Sequence, residues 1–474
     1  MSRRQAGVAA VVLAAGGGTR MKSGRPKVLH PAAGRPLLVH VLAALEPLGL
    51  ESHHVVISDR VPVFEKTLAE ASLPFVAELV VQDPPQGTAD AVRTALKKMG
   101  GAHKTILVLQ GDSPLIETAT LDALLHVHAE SSSSATVLTA RISDPTGYGR
   151  VIRADNDNVE RIVEERDASY EERTIDEINA GVYVFDVASV TEALDEVGQD
   201  NAQQEFYLTD VVPALRAKGN TVLAYRTHPQ EVLGVNSRAQ LARVAELLRR
   251  RTCEVWMEEG VTIVDPNTTY IDSSVKIARD ATIHPFTFLE GTTTVGEGAE
   301  IGPQVRIVDS EIAEGATVSF AVVRGSTIGP DASVGPFASL RPGTRLERGA
   351  RLGTFVEAKQ TTIGEQSKAN HLSYLGDAQI GRGVNVGAGT ITCNWDGTSK
   401  HQTIIEDDAY ISSDTMLVAP THIGKRAATG AGAVVRGDVP DDALAVGMPA
   451  RIIEGKGNKM ASRDAKDDDD EPPK

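Results

Sequence analysis

Residues 276–307 read KIARDATIHPFTFLEGTTTVGEGAEIGPQVRI, and an aliphatic residue returns at every sixth position. The stride resumes after two breaks and continues to residue 435, and the 3.6-residue period of an α-helix is absent from it. Chance could produce two or three such repeats, but hardly this many in phase. The pattern predicts a parallel β-helix, with three short strands in each coil of roughly eighteen residues and the aliphatic side chains stacked inward. The positions concerned are Ile277, Ile283, Leu289, Val295, Ile301 and Ile307, then Ile328, Val334, Leu340, Leu346 and Leu352, then Ile405, Ile411, Leu417, Ile423, Thr429 and Val435.

The two breaks in the stride fall at residues 318–328 and 391–403. Inserted residues must leave a solenoid as a loop on one face, so both segments are predicted to be loops. The second segment contains Cys393, Asn394 and Trp395. After residue 456 the chain is polar and unpatterned, which predicts a disordered tail.

The first half of the chain has a different pattern, in which short apolar runs alternate with amphipathic segments. This alternation predicts a doubly wound, mostly parallel α/β sheet, whose ligands bind beyond the carboxyl ends of the strands. The predicted strands are Val8–Ala14, Val55–Ser58, Val76–Val81, Thr105–Gln110, Ala135–Ala140 and Val182–Phe185, and the predicted helices are Leu37–Leu48, Ala89–Lys98 and Leu121–Ala129.

A single helical pattern separates the two halves. Leu241, Val244, Ala245 and Leu248 recur at helical spacing within residues 236–256, which predicts an arm between domains. A helix packed onto the first domain is an equal alternative for its first half. The predicted organisation is a first domain over residues 1–236, a helical arm over 237–260, a β-helix over 261–455 and the tail over 456–474.

Composition limits the class of protein. The 474 residues carry a net charge of −16 and two cysteines, and no apolar stretch resembles a signal peptide or a membrane span. We therefore expect a soluble, cytoplasmic protein without disulfides, and neither nucleic acid nor a membrane as its partner. The negative net charge of the protein repels phosphates. A phosphate-bearing substrate must therefore be bound by local basic residues, backbone amides or a metal ion.

A glycine-rich loop follows the first predicted strand. Residues 13–21 read LAAGGGTRM, and Pro26-Lys27 follow shortly after. Consecutive glycines let backbone N–H groups turn toward an anion, and Arg20 and Lys27 supply positive charge. Met21 stands where a dinucleotide fingerprint or a P-loop needs glycine, so neither of these motifs is present.

The whole string resembles the signature of sugar-1-phosphate nucleotidyltransferases, and PKVLH at residues 26–30 is most similar to the N-acetylglucosamine-1-phosphate uridylyltransferases. An Asp that follows a strand is often only a turn or cap residue, but the resemblance pairs Asp112 with Asn236 as ligands of Mg²⁺. Asp90 departs from the family, whose members commonly have histidine there, and this leaves the contacts to the base open. The resemblance implies that Leu13, Ala14, Ala15, Gly16, Lys27 and Asn236 bind substrate, that Gln82, Gly87 and Thr88 read uracil, that Gly149, Glu164 and Asn179 hold the amino sugar, and that Arg20 and Lys27 act in catalysis.

The second half resembles left-handed β-helix acyltransferases, in particular the glucosamine-1-phosphate acetyltransferase half of a bifunctional family. The strings that carry this resemblance include NHLSYLGD at residues 370–377 and TCNWDG at 392–397. A lone histidine is usually structural, but inside the first string His371 is expected to be the base that deprotonates the sugar amine. The resemblance also implies that Arg341 and Lys359 clamp the sugar phosphate, that Tyr374 and Asn385 orient the sugar, that Asn394 and Ser413 stabilise the tetrahedral intermediate, and that Ala388, Asn394, Trp395, Ser413 and Ala431 line the acetyl-CoA cleft.

Two further residues remain open at this point. Cys393 lies close to the second string, but nothing adjacent makes it a thiolate, so we do not expect a nucleophile. The sequence near Arg451 resembles the end of single-function acetyltransferases. It is therefore open whether Arg451 or another basic residue binds the phosphates of coenzyme A.

These motifs favour a bifunctional enzyme that makes UDP-N-acetylglucosamine. Its substrates would be glucosamine 1-phosphate, acetyl-CoA, N-acetylglucosamine 1-phosphate and UTP, with Mg²⁺, and the resemblance implies a homotrimer. The nearest alternative is a monofunctional sugar nucleotidyltransferase whose β-helix serves regulation or assembly. A non-enzymatic oligomerising scaffold is the third possibility, but it would not need Asp112, Asn236 or the glycine-rich loop.

Overall fold

The computed structural model describes residues 5–456, and the chain divides into two compact units between Leu248 and Arg249. The predicted disordered tail lies outside the described residues, apart from Lys456. In the described part of the chain, no helix has both the length and the apolar character that a membrane crossing requires.

The first unit is built on a twisted, mostly parallel sheet. Its strand order is β11-β7-β10-β6-β1-β4-β5, and only β10 runs antiparallel to its neighbours on that path, while the β8–β9 hairpin joins β10 at the side. The strands of this sheet are β1 (Gln5–Leu13), β4 (Leu50–Ile57), β5 (Ala77–Val81), β6 (Thr105–Gln110), β7 (Ala135–Arg141), β8 (Arg150–Arg153), β9 (Val159–Val163), β10 (Glu177–Asp186) and β11 (Val222–Arg226), while β2 (Pro31–Ala32) and β3 (Arg35–Pro36) form a separate two-stranded sheet.

Helices cover both faces of this sheet, as the doubly wound prediction requires. Alternate residues of β1 face opposite sides, so Ala10 and Val12 belong to one buried cluster while Ala9 and Val11 belong to another. The α-helices are α1 (Leu37–Leu45), α2 (Val61–Ala71), α3 (Thr88–Met99), α4 (Thr118–Ser131), α5 (Val187–Leu194) and α6 (Val211–Ala217), and single 3₁₀ turns cover Thr19–Met21, Lys27–Leu29, Glu46–Leu48, Glu172–Thr174, Leu208–Asp210 and Pro229–Val232.

The helix α7 (Arg238–Glu258) contains the division between the two units. In its first half, Val244 and Leu248 pack in a buried cluster with Met21 and Leu37 of the first unit. The first half of the predicted arm therefore packs onto the first domain, which was the alternative that the sequence left open. In the second half, Cys253 is buried in the core of the second unit.

The second unit is a parallel β-helix with three faces, and its stacked aliphatic residues form one buried core. Face 1 consists of Thr262–Ile263, Thr282–Ile283, Glu300–Ile301, Thr317–Val318, Ser333–Val334, Arg351–Thr354, Lys368–His371, Asn385–Val386, Tyr410–Ile411, Ala428–Thr429, Leu444–Gly447 and the antiparallel Ala450–Ile453. Face 2 consists of Tyr270–Ile271, Phe288–Glu290, Arg306–Val308, Val322–Arg324, Ser339–Leu340, Glu357–Lys359, Tyr374–Gly376, Ile391–Cys393, Met416–Val418 and Val434–Val435. Face 3 consists of Lys276–Ile277, Thr294–Val295, Glu311–Ile312, Thr327–Ile328, Arg345–Leu346, Thr362–Ile363, Ala378–Ile380, Thr403–Ile405 and Thr421–Ile423. This architecture, an α/β domain followed by a β-helix of the left-handed class, confirms the predicted fold.

One of the two predicted loops is wrong. Residues 318–328 stay inside the solenoid, because Val322–Arg324 is a face 2 strand that pairs with the strands before and after it. The break in the stride comes from shortened corners and not from an insertion. Residues 394–402, between the strands Ile391–Cys393 and Thr403–Ile405, are a true insertion. Within it, Trp395 and Lys400 form an isolated antiparallel bridge.

Candidate active sites

The glycine-rich loop after β1 packs closely against Lys27, and the contact is made at Gly18. Gly18 has a φ of +58°, and a Cβ there would lie 2.7 Å from the Cβ of Lys27, so only glycine lets the two segments pack so closely. Met21 anchors the following turn in the cluster that also holds Leu37, while Gly16 and Arg20 lie exposed. The loop is thus held at one end and open to solvent at the other.

Lys27 joins the two predicted metal ligands. Its ammonium forms an ion pair with Oδ2 of Asp112 and donates a hydrogen bond to Oδ1 of Asn236 at 2.9 Å. The side chains of Lys27 and Asp112 are only 13% and 14% exposed, so these charges lie in a partly desolvated place. Two oxygens from distant parts of the chain therefore converge on one cationic centre.

Backbone hydrogen bonds hold these side chains in position. Gly111 after β6 donates to the carbonyl of Leu13 at 2.9 Å, and Val235 donates to the carbonyl of Asp112 at 3.0 Å. The backbone N–H of Asn236 donates to Oε1 of Gln240, at 2.8 Å, in the first turn of α7. Sequence reasoning did not identify Gln240, because a glutamine four residues after a loop residue looks like ordinary helix surface.

The three predicted base-reading residues lie where β5 passes into α3. Gln82 is buried, and its side-chain amide donates to the carbonyl of Gly87 at 3.0 Å. Gly87 has a φ of +119°, and a Cβ there would meet the backbone of Phe206 at 2.5 Å. Thr88 accepts a hydrogen bond from the N–H of Leu208 at 2.9 Å. This loop is therefore fixed against residues 206–208.

The predicted amino-sugar residues also come together. The N–H of Asn179 donates to the carbonyl of Gly149 at 2.9 Å, and a Cβ on Gly149 would lie 3.6 Å from both carboxylate oxygens of Glu164. Burial raises the pKa of Glu164, against the lowering effect of the hydroxyl of Thr209, which donates to it at 3.3 Å. The three predicted residues thus meet where β8, β9 and β10 come together.

In the β-helix, the predicted phosphate clamp lies where face 2 ends. Arg341 is paired with Glu357 at 3.0 Å, and the neighbouring ammonium of Lys400 lowers the pKa of Lys359. Lys400 lies in the insertion and was not identified from the sequence, since a lysine in an exposed loop carries no specific signal. Like charges held close together in this way create a site for an anion.

Asn394 is fixed at the same end of face 2. Its amide donates to Oδ2 of Asp377, and only 8% of the residue is exposed. Asp377 closes the string that carried the resemblance, yet its role as the partner of Asn394 was not predicted. The phenolic oxygen of Tyr374 and the amide nitrogen of Asn394 both lie within 3 Å of the position that a Cβ on Gly376 would take. Glycine at this position therefore lets the two side chains meet.

His371 lies at the opposite end of face 2, at the corner with face 1. It ends the strand Lys368–His371 with its side chain exposed, and the hydroxyl of Ser373 donates to its carbonyl at 2.8 Å. Asn385 pairs with Lys368 in the next coil of face 1. His371 and Lys359 thus lie at opposite ends of face 2, on successive coils.

Three predicted acetyl-CoA residues form a column along the corner that holds His371. Gly389 donates to the carbonyl of Leu372, Asp414 to that of Ala388, and Gly432 to that of Ser413, at 3.0, 2.7 and 2.9 Å. Ala388, Ser413 and Ala431 therefore occupy equivalent positions on successive coils, in line with the corner that follows His371. The small residues leave this edge of the solenoid accessible.

The remaining candidates lie at the rim of this region. Trp395 is 57% exposed at the start of the insertion, and Arg451 lies exposed on the final hairpin of face 1. Burial raises the pKa of the Cys393 thiol, which keeps it protonated. This agrees with the prediction that Cys393 is not a nucleophile.

Comparison with known proteins decides the family. Residues 10–260 match the MobA-like NTP transferase domain. The chain is 44% identical to the bifunctional protein GlmU of Halalkalibacterium halodurans over 92% of its length and 95% of that protein. It is 48% identical to GlmU of Heliobacterium modesticaldum, over 92% and 94% of the two chains, and 48% identical to GlmU of Thermobifida fusca, over 94% and 93%. The chain belongs to the bifunctional GlmU family.

Membership of the GlmU family confirms the resemblance of both halves of the chain to the bifunctional uridylyltransferases and acetyltransferases. The match of the nucleotidyltransferase domain covers the first unit, and the GlmU relatives cover the β-helix as well. The chain is therefore a bifunctional enzyme, a uridylyltransferase joined to an acetyltransferase, and the monofunctional and scaffold alternatives are set aside.

Proposed function

We propose that the α/β unit transfers a uridylyl group from UTP to N-acetylglucosamine 1-phosphate at the site formed by Lys27, Asp112 and Asn236. The observation that carries this proposal is the convergence of two oxygens on one ammonium. One carboxylate and one amide oxygen leave coordination positions for phosphate oxygens and water, which is the environment that Mg²⁺ prefers. The donor set fits Mg²⁺, which would supply charge neutralisation on the triphosphate when bound.

The chain's own residues would do the rest of the uridylyl transfer. A phosphate oxygen of the sugar phosphate attacks the α-phosphorus in line, and pyrophosphate leaves, so no general base is needed. Arg20, Lys27 and the amides of residues 13–16 would neutralise the charge that repels the two anions. Gln82, Gly87 and Thr88 would read the base, and Gly149, Glu164 and Asn179 would hold the acetylated sugar.

In the β-helix, the residues support acetyl transfer to glucosamine 1-phosphate before the uridylyl step. His371 would take a proton from the ammonium of the sugar, and the free amine then attacks the thioester carbonyl of acetyl-CoA. Ser413, at the corner that follows His371, would stabilise the oxyanion until the thiolate of coenzyme A leaves, and Asn394, at the other end of face 2, would join it from another copy of the chain. Arg341 and Lys359 would hold the phosphate, with Tyr374 and Asn385 orienting the ring and Trp395 beside the thioester.

A homotrimer is part of this proposal, and an exposed aromatic column supports it. Phe320, Phe337 and Phe355 lie at successive corners of the coils, with ring centroids 5.5 and 5.6 Å apart. All three have positive φ, like other corner residues of the solenoid, and Phe337 and Phe355 are more than half exposed. The column borders an open groove of about 650 Å³ and leads toward Leu372, next to His371. Burial of this edge against other copies would bring a second chain beside the acetyl site.

We place the enzyme in the cytoplasm. Both cysteines, Cys253 and Cys393, are free thiols, which is the usual state of cysteines in a reducing compartment. Its partners would then be small molecules alone, apart from the other copies of the chain.

One assay tests both active sites. UTP, Mg²⁺, glucosamine 1-phosphate and acetyl-CoA are supplied, and free thiol and pyrophosphate are followed separately. We expect His371→Ala to lose thiol release but to use N-acetylglucosamine 1-phosphate normally, and Asp112→Ala to show the reverse. Near-normal pyrophosphate release by Asp112→Ala would contradict the metal assignment, and normal thiol release by His371→Ala would contradict the assignment of the base.

A further inference from the structure

The residue that departs from the family pattern, Asp90, contacts the predicted base-reading glutamine. Gln82 has two side-chain N–H groups, and both are used. One donates to the carbonyl of Gly87 at 3.0 Å, and the other donates to Oδ2 of Asp90 at 2.8 Å, in the first turn of α3. Although Asp90 lies in the first turn of α3, its side chain is directed to the loop that contains Gln82 and Gly87.

The chemistry of these two partners fixes the orientation of the amide. A backbone carbonyl and an ionised carboxylate accept hydrogen bonds but cannot donate them. A flipped amide would place Oε1 of Gln82 against an oxygen of Asp90 and leave a buried repulsion. Among the described residues, Oε1 of Gln82 has no hydrogen-bond donor, so it remains as the free acceptor of this side chain.

We propose that Asp90 is a positioning residue that sets the preference of the enzyme for uracil over cytosine, by holding Gln82 with its acceptor available to the base. This inference rests on the proposed role of Gln82 in the uridylyl site. Uracil has an N3–H donor, whereas cytosine has a lone pair at N3. An amide that presents Oε1 to N3 of the base accepts from uracil and repels cytosine.

Asp90 is itself held by a second residue. Arg93 lies 3.4 Å from Oδ1 of Asp90, and it donates to the carbonyl of Leu194 at 2.6 Å. Its guanidinium also lies over the ring of Phe206, 5.2 Å from the centroid. These contacts keep the carboxylate of Asp90 beside Gln82. A histidine at position 90, which both donates and accepts, would not force one orientation of the amide.

The test compares UTP with CTP as donor in pyrophosphate release from N-acetylglucosamine 1-phosphate. In Asp90→Asn the new amide can donate to Oε1, so Gln82 is no longer held in one orientation. We expect kcat/KM for UTP to fall roughly tenfold and the UTP-to-CTP ratio to fall by a similar factor, the size of one hydrogen bond. Asp122→Asn is the matched control, since it makes the same change at an exposed aspartate on α4, and we expect its ratio to equal that of the wild type.

A double-mutant cycle shows whether Asp90 acts through Gln82. In a Gln82→Leu background, Asp90→Asn should leave the UTP-to-CTP ratio unchanged, because there is no amide to orient. If Asp90→Asn gives no turnover, Asp90→Ser is measured instead, since its hydroxyl also donates and accepts, and the same fall is expected. An unchanged ratio in these single variants overturns the inference. Absence of pyrophosphate release from UTP in the wild type would instead overturn the proposed function.

Discussion

The two halves of this enzyme assemble their candidate sites from the chain in different ways. In the α/β unit, Lys27 meets Asp112 and Asn236, which are 85 and 209 residues away. In the β-helix, Asn394 meets Asp377 at a separation of 17 residues, about one coil. Sequence order thus approximates spatial order in the solenoid, whereas the sheet brings together loops from the whole domain.

This difference affects how each site responds to change. A site assembled from distant loops depends on the packing of the whole domain, and its charged residues are partly desolvated. Within one chain, a site stacked on a solenoid depends mainly on neighbouring coils, because each repeat contacts its nearest neighbours. The four predictions that follow test this contrast, in order of expected effect.

Replacement of Lys27 should have the largest effect and should affect one half only. Lys27→Met removes the positive charge that the Asp112 and Asn236 oxygens surround. We expect pyrophosphate release to fall by roughly 10²–10³, as for loss of a charge-stabilising donor, with thiol release unchanged. Lys22→Met, at an exposed lysine near the glycine-rich loop, is the control and should keep activity. A variant at Lys27 that retains half the wild-type rate would contradict the role of this residue.

Two adjacent isoleucines test the packing of the solenoid. Ile405 points into the core and is 1% exposed, whereas Ile404 on the same strand is 37% exposed. We expect Ile405→Ala to lower the free energy of unfolding of the β-helix by about 2–5 kcal/mol, and Ile404→Ala by far less. Chemical denaturation measures the loss in free energy of unfolding for both variants, with the decline of thiol-releasing activity as the signal that the β-helix unfolds. Equal losses at the two positions would mean that the inward stacking is not the source of stability.

Acid should destabilise the first unit before the second. Burial lowers the pKa of His30, His54 and His128, and lowers that of His53, stacked on Phe75, to about 4. Below the ordinary histidine pKa of 6.5 the unfolded chain binds protons that the folded domain does not, so stability falls as pH falls. Between pH 6.5 and 5, His53 alone should cost roughly 2 kcal/mol.

Calorimetry from pH 7.5 to 5 measures this effect. We expect the unfolding transition of the α/β unit to move to lower temperature while that of the β-helix moves less. His53→Phe keeps the stacking on Phe75 but cannot titrate, so it should reduce the slope. A steeper acid dependence of the β-helix would contradict the prediction.

Glu164 and Glu165 should give small effects of opposite sign on stability. Because burial raises the pKa of Glu164, the folded domain resists its ionisation, and this penalty is present above the unfolded pKa and lost as pH falls below it. Glu164→Gln should therefore raise the free energy of unfolding at pH 7, by on the order of 1 kcal/mol, but not at pH 4.

The neighbouring variant Glu165→Gln is the control, since Glu165 is paired at 2.7 Å with the buried Arg150 and its loss should destabilise the domain. Glu164→Gln should also raise the KM for N-acetylglucosamine 1-phosphate roughly tenfold, through one lost hydrogen bond. A stabilised variant with unchanged KM would remove Glu164 from the sugar site.

Much of this organisation could be predicted from the sequence. The six-residue stride identified the solenoid, because every coil repeats the same inward position, and the alternation of apolar runs identified the sheet. The motifs then placed candidate residues in each half. The structure contradicted one element, residues 318–328, because a shortened corner and an insertion interrupt the stride in the same way.

The elements that the pattern did not predict are short or partly exposed. Strands β8, β9 and β11 have 4 or 5 residues and helices α2, α5 and α6 have 7 to 11, so each is too short for a clear local period, and contacts along the whole domain decide them. The same holds for Gln240, Asp377 and Lys400, whose side chains have no distinctive pattern. Each acquires a role only through the residue that it meets.

The repeat, the two-domain organisation and the residue types available for chemistry follow from the sequence alone, because they depend on local spacing. Tertiary structure decided which of those residues meet. It placed one ammonium between Asp112 and Asn236, paired Asn394 with Asp377, and set Asp90 against the amide of Gln82. The physical reason is that hydrogen bonds and ion pairs act over a few ångströms, and separation along the chain says little about that distance until the chain has folded.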